Sequence, residues 1–219
     1  MRKESIRLAF RKNEQKPCSV QGCHNNRYQI NSTCKHHYFM AHAYGHPLSK
    51  AIQPKEMGYE LAQVNALIDR NIETHIGLQK AAAFIDTWIS NAVEDKQGTV
   101  QARQIRRLGY NNIRGLEVIK VCAAVWLYSE RNPKYFMANK SLSYALAHQT
   151  MRLVPLERII TSGGKRRPLR MNATSRKEIG GYLRDNLGLL FVNICDSIQK
   201  LEQVNHEMKQ AMGAAFIAH

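Results

Sequence analysis

The sequence predicts a mainly α-helical protein with a small cysteine-rich module near its N-terminus and a basic β-hairpin that could form a winged-helix element. Apolar residues recur at helical spacing over long stretches, and a β-branched run followed by Ser-Gly-Gly and several cations occurs near residue 160. We divide the chain into a basic arm or helix (1–16), a cysteine-rich module (17–50), a long helix or helix pair (55–97), a basic helical region with the hairpin (98–173) and a long C-terminal helix (174–216).

Charge is the clearest global property of the chain. It has 219 residues, 44% of them apolar, with 32 Lys and Arg against 17 Asp and Glu, which gives a formal net charge of +15. Residues 1–50 carry nine basic and two acidic side chains, and residues 100–180 carry sixteen and four. Two separated basic regions predict a polyanionic partner, and we favour nucleic acid, DNA before RNA.

Membrane binding is the competing use of this charge, but no predicted helix pairs a Lys-rich face with a face of Trp, Phe and Leu. No run of eighteen apolar residues occurs and the N-terminus has no secretory signal, so we expect an intracellular, cytoplasmic protein. RNA stays open as a ligand, because aromatic residues stand beside basic ones at Tyr110, Tyr135 and Phe136.

The segment "CSVQGCHNNRYQINSTCKHH" has the spacing C-x4-C-x10-C-x2-H. Zinc prefers four tetrahedral thiolate and imidazole ligands that arrive as two close pairs. Gly22 gives the backbone freedom that a metal knuckle needs, and an i, i+3 pair would lie on one face of a helix running to Gly45. The predicted ligands are Cys18, Cys23, Cys34 and His37; His36 could replace His37, and His24, His42 and His46 are weaker candidates.

A disulfide is the alternative use of these cysteines, but it would leave an odd cysteine and does not suit an intracellular protein. A site closed by four protein ligands indicates a structural rather than a catalytic zinc. Residues 17–45 have few apolar side chains, so the metal should supply their folding energy.

The run from Cys18 to Pro47 resembles the short zinc-binding segment, C-x-x-x-G-C, a spacer and then C-x-x-H-Y, found in phage HNH homing endonucleases and related phage DNA-binding proteins. The resemblance covers about residues 17–47 and implies the same four ligands, with Tyr38 as the motif's tyrosine. An HNH nuclease also needs a downstream ββα-metal core with paired histidines. After residue 47 the histidines are isolated, so the implied relation is to the DNA-binding appendage of a phage-encoded protein.

The middle of the chain predicts helices. Residues 55–93 form one long helix or two end-to-end helices around Gly77. A short basic helix, a turn at Gly109 to Asn112 and a buried helix from Ile113 follow. This order fits a helix-turn-helix, or an ordinary helical hairpin.

The segment "GGKRRPLR" should be the tip of a basic β-hairpin, which after helices suggests the wing of a winged helix. A disordered basic loop is the alternative. Either way, we predict these cations as nucleic-acid contacts, together with those that flank them: Arg103, Arg106, Arg107, Lys165, Arg166, Arg167, Arg170, Arg176 and Lys177.

The C-terminal helix should begin at Thr174 or Ser175 as N-cap, with Glu178 completing a capping box. Its apolar stripe runs for about ten turns, too long for a small core to cover. We expect it to pack on the 55–93 helix or on its copy in a homodimer. Cys122 and Cys195 fall in apolar stretches and should be inert core thiols.

We find no catalytic constellation, so binding is favoured over catalysis. The leading hypothesis is a zinc-containing DNA-binding regulator, or a replication or recombination accessory factor, of a phage or mobile element. The alternatives are a degenerate HNH-type nuclease and an adaptor that binds an acidic protein partner such as a polymerase.

Overall fold

The structure is a computed structural model that describes residues 2–95, 97–160, 164, 166–168 and 171–217. Within these residues it is mainly α-helical, as predicted. The α-helices are α1 (Arg2–Glu14), α2 (Lys35–Tyr44), α3 (Gly58–Asn71), α4 (Ile76–Glu94), α5 (Val100–Tyr110), α6 (Gly115–Arg131), α7 (Asn139–Thr150) and α8 (Ala173–Ile217). The strands are β1 (Arg158–Ile160) and β2 (Arg166–Pro168).

Helix α6 is the centre of the helical body. It packs against α3, α4, α7 and α8, and its residues Val118, Ile119 and Leu127 are fully buried. A helix that is apolar on most faces gains from such an environment, as the sequence predicted. The same burial makes the helix-turn-helix hypothesis wrong, because the second helix of that motif must lie exposed to enter a DNA groove.

The segment 55–97 forms two helices, α3 and α4, rather than one. The break spans residues 72–75, and the His75 Nδ1 atom accepts a hydrogen bond of 3.1 Å from the Leu78 amide. That bond caps the first turn of α4, whose amides have no intrahelical partner. Gly77 lies inside α4 and does not interrupt it.

The fold-class prediction is wrong about the basic β-hairpin as a main structural element. Antiparallel pairing joins only three residues of β1 to three of β2, from Arg158 opposite Pro168 to Ile160 opposite Arg166. The principal packing is helix against helix, and the helix that a wing would accompany is α6, which is buried. The described part of the chain therefore contains no winged-helix element.

Helix α8 begins at Ala173, slightly earlier than predicted. The Asn172 side chain, not that of Thr174 or Ser175, accepts the capping bond, at 2.7 Å from the Ser175 amide. Asn is as good an N-cap as Ser, and its bond satisfies one of the unpaired amides of the first turn. Ser175 is instead fully buried.

Helix α8 packs mainly on α7 and α6. It meets the predicted 55–93 segment at two places, where Tyr182 stacks on Phe84 and Trp88 of α4 and where its far end contacts α3. Its stripe is buried from Ile179 to Ile198. Cys122 and Cys195 are fully buried, and burial raises the pKa of each thiol to about 12, which confirms that they are inert core residues. Among the described helices, none is both long and apolar enough to cross a membrane.

Candidate metal centre

The four predicted ligands meet at one point. The Sγ atoms of Cys18, Cys23 and Cys34 and the Nδ1 atom of His37 all lie within 4.8 Å of one another. His37 Nδ1 is 3.4 Å from the sulfurs of both Cys18 and Cys34, and the sulfurs of Cys23 and Cys34 are 3.9 Å apart. This Cys3His cluster could hold a metal ion, and it takes His37 rather than the adjacent His36.

Local backbone structure sets this geometry. Gly22 has a φ of 75°, in the left-handed region that glycine adopts without steric cost, and it turns the chain into Cys23. Cys34 stands at the N-cap of α2 with extended φ and ψ. The following helix places His37 three residues later on the same face as Cys34.

Two of the cluster's sulfur atoms accept hydrogen bonds from amide groups. The Cys34 amide donates to the Cys18 sulfur at 3.2 Å, and the Asn25 side-chain amide donates to the Cys23 sulfur at 3.7 Å. Amides aimed at sulfur stabilise the thiolate form that a metal requires. Asn25 was not among the predicted site residues, although its position two residues after a ligand cysteine could have indicated a hydrogen bond to that sulfur.

The pKa values of the thiols diverge. Burial acts to raise the pKa of Cys18, but amides of Val20 and Cys34 and the His37 ring outweigh it and lower the pKa to about 6. For Cys23, the Asn25 backbone bond lowers the pKa, but burial and the neighbouring sulfurs of Cys18 and Cys34 outweigh it and raise the pKa overall. Thiolates this close repel each other, and a bound cation relieves that repulsion.

Helix α1 is joined to the metal module (residues 17–45) through its last turn. The Asn13 side chain donates to the carbonyls of Gln29 and Asn31 at 2.8 and 2.9 Å, and the Glu14 carboxylate accepts from the Gln29 amide at 3.3 Å. The basic arm is therefore a helix fixed at its C-terminal end to the loop between the second and third cysteines.

The C-terminal end of α2 docks on the body where α7 and α8 begin. Gly45, with a φ of 86°, lies so close to the Lys140 carbonyl that a Cβ would be 2.8 Å from it. The Arg176 guanidinium donates to the Ala43 carbonyl at 3.0 Å, a favourable place for a cation at a helix C-terminus. This contact fixes the metal module beside the first turns of α7 and α8.

Three of the arginines predicted to bind nucleic acid make internal contacts instead. Arg107 is 8% exposed, and its guanidinium donates to Glu157 at 2.8 Å, Gln104 at 3.0 Å and the Pro155 carbonyl at 3.1 Å. Arg106 donates to the carbonyls of Ala92 and Asp95 at the end of α4. Arg176 is the third, through its bond to the C-terminal end of α2.

The remaining predicted contacts divide into three groups. Arg103 and Lys177 are exposed, and Lys177 lines an open groove on α8 beside Lys140 of α7. Arg166 and Arg167 lie on β2. Lys165 and Arg170 lie outside the described residues. No sequence signal indicated that Lys140 would lie beside Lys177, because the two are far apart in the chain.

Positive charge near the docked module also acts on His148 of α7. Burial lowers the pKa of this imidazole to about 4, and Arg152 and Arg176 lower it in the same direction. His148 is therefore neutral at pH 7 in the folded protein.

We expect His148 to make stability fall with acidity. The unfolded chain takes up a proton near pH 6.5, whereas the folded imidazole does so only near pH 4, so stability present above pH 6.5 is lost as the pH falls between these values. The loss should be on the order of 2–3 kcal/mol. Urea unfolding of metal-saturated protein at several pH values measures it, with His148→Gln as the comparison. Identical pH slopes for the two proteins would contradict this assignment.

Comparisons with known proteins find no match: no protein-family model fits the chain, and no curated protein or solved structure is detectably similar to it. The resemblance to the zinc segment of phage HNH proteins therefore rests on the motif of residues 17–47 alone.

Proposed function

We propose that this protein is a nucleic-acid-binding protein, DNA favoured over RNA, whose N-terminal module is held by a structural zinc ion. Zinc has bonds of about 2.3 Å to sulfur and about 2.0 Å to nitrogen, which put tetrahedral neighbours about 3.8 Å and about 3.5 Å apart. The sulfur pair at 3.9 Å and the sulfur–nitrogen pairs at 3.4 Å fit those spacings. Soft thiolates with one imidazole also suit zinc better than magnesium or calcium.

A four-ligand site leaves no position for a substrate, so a zinc there would brace the fold rather than react. Cys18 and Cys34 are the buried apolar residues of the module, which leaves little hydrophobic surface to stabilise it. The metal would supply that stability.

The observation that carries the nucleic-acid proposal is a set of unneutralised cations around this module. They stand on α1, on the segment after it and at the start of α2, are all exposed, and make no ion pair with any carboxylate of the described residues. We call them the module cations: Arg7, Arg11, Lys12, Lys16 and Lys35. Cations left free by the protein itself gain most from a phosphate backbone.

The docking of α2 extends this surface onto the body. Lys140, Lys177 and Arg184 line the groove beside the docked module, together with the carboxylates of Glu178 and Asp185. Arg152 and Arg176 add positive charge near His148 of α7. In contrast, the segment 55–97 that forms α3 and α4 is rich in acidic residues. A polyanion would approach the module side, where the potential is positive.

The test is a salt titration of binding to duplex DNA, single-stranded DNA and RNA of matched length. We expect the triple variant Lys12→Ala, Lys16→Ala, Lys35→Ala to reduce the slope of log affinity against log salt by roughly 2.7 for a duplex, about 0.9 for each phosphate contact. These side chains are exposed, so folding should be unaffected.

The matched control replaces three exposed cations of the acidic region, Lys55, Arg70 and Lys80, by Ala. The slope of log affinity against log salt for this control variant should equal that of the unmodified protein. An unchanged slope in the first triple variant would refute the module surface, and weak binding to all three polymers would favour an acidic protein partner. Cleavage of the DNA would instead favour the nuclease alternative.

The predicted contacts at Lys165, Arg166 and Arg167 remain a second proposed surface. Replacing Lys165, Arg166 and Arg167 together by Ala should flatten the slope by roughly the same amount if all three touch phosphate. We also propose that the protein acts as a phage regulator, or as a replication or recombination accessory factor. This role is supported only by the resemblance of its zinc segment.

A further inference from the structure

The last third of α8 extends beyond the helical body. The Glu202 carboxylate receives two bonds of 2.9 Å from Arg131 and one of 2.7 Å from Gln63, which fix the helix to α3 and α6. From residue 203 to residue 210 every side chain is exposed, and the helix continues to Ile217. The fifteen residues after Glu202 extend the helix by about 22 Å.

A stripe of apolar residues, interrupted by one Asn, runs along α8 from the body into this extension. Its members alternate at intervals of three and four residues, as a heptad repeat does: Leu187, Phe191, Ile194, Ile198, Leu201, Asn205 and Met208. The sequence continues the spacing with Met212 and Ala215. The stripe is buried up to Ile198, but Leu201 is 45% and Met208 52% exposed.

The spacing assigns each residue a heptad position. A step of three residues leads from a to d, so Ile198 and Asn205 are a residues and Leu201 and Met208 are d residues. Val204, 50% exposed, widens the stripe at the neighbouring g position. A short isolated helix with this much exposed apolar surface is marginal in water, so the extension calls for a partner helix.

The body offers room for that partner. An open groove lies between α3 and α8 and continues the line of the stripe. Its apolar lining is Ala66, Leu67, Ile198 and Leu201, and its polar lining is Gln63, Arg70, Glu202 and Asn205. A helix laid along α8 would therefore contact α3 as well as the extension.

Asn205 identifies the partner as a second copy of this chain. A single Asn at an a position within an apolar seam is satisfied when it faces the same Asn across a parallel, two-stranded, in-register coiled coil. An unrelated apolar helix would leave the Asn205 amide in the seam without a matching group.

We propose that the C-terminal part of α8, residues 201–217, forms a parallel two-stranded coiled coil with its copy and makes the protein a homodimer. Parallel pairing places the N-terminal ends of both α8 helices, each holding a metal module, on the same side of the dimer. The self-association itself does not depend on nucleic acid or on metal.

The test is sedimentation of the full chain over a range of concentrations. The unmodified protein should show a concentration-dependent dimer, and Leu201→Glu with Met208→Glu should be monomeric at the same concentrations. Both side chains are half-exposed, so helix content should not change. The matched control places two Glu residues on the opposite face, Gln203→Glu with Gln210→Glu, and should remain dimeric.

Orientation is tested with Asn205→Cys. In a parallel in-register dimer the two new thiols face each other and should form a covalent dimer under mild oxidation, because a positions bring Cα atoms within disulfide reach. The control Gln203→Cys, on the outer face, should not. A monomer at all concentrations, or a dimer that survives both stripe substitutions, would overturn the proposal, and a dimer without cross-linking at residue 205 would overturn its parallel orientation.

Discussion

Replacing His37 by Ala is expected to weaken metal binding and destabilise residues 17–45 while the helical body stays folded. The module buries little besides Cys18 and Cys34, so a bound ion would be its main source of stability. Structural zinc sites contribute about 10–16 kcal/mol in small peptides, so removing one of four ligands should cost on the order of 3 kcal/mol, roughly 100-fold in metal affinity.

Metal content by native mass spectrometry, together with backbone hydrogen exchange, measures this effect. Exchange should accelerate over 17–45 and over the end of α1 that Asn13 fixes to the module, but not in α6. His36→Ala is the matched control, because His36 is the adjacent, exposed histidine outside the cluster. Equal metal retention in the two variants would show that His37 is not a ligand.

Replacing Gly180 by Ala should destabilise the helical body, although it adds only one methyl group. The α7 and α8 backbones cross at this point so closely that a Cβ on Gly180 would lie 1.6 Å from the Ser143 carbonyl oxygen. The Ser143 atoms that the Cβ would meet are all backbone atoms of α7, so the two helices must separate. We expect a loss of about 3 kcal/mol from this overpacking, less about 1 kcal/mol regained in helix propensity.

The neighbouring glycine provides the control. A Cβ on Gly181 meets nothing within 4 Å, so Gly181→Ala should raise the free energy of unfolding by up to about 1 kcal/mol through helix propensity. Urea denaturation of both variants measures the difference. If both substitutions stabilise the protein equally, the close crossing of α7 and α8 does not exist.

The sequence determined the local features of this protein. The spacing of Cys18, Cys23, Cys34 and His37 identified a cluster that could hold a metal ion, because short loops constrain where the ligand atoms can meet. Helical periodicity identified the helices, and the apolar faces of α6 predicted its burial.

Only the tertiary structure decided what the cations do and where the helices pack. Arg107 and Arg106 read as surface charge in the sequence, yet they bind Glu157 and the carbonyl end of α4, partners that no local pattern places beside them. Lys140 and Lys177 share one groove because α7 and α8 cross at Gly180, a contact between residues far apart in the chain. Spacing along a helix is fixed by local geometry, whereas the pairing of distant charges and backbones depends on how the whole chain packs.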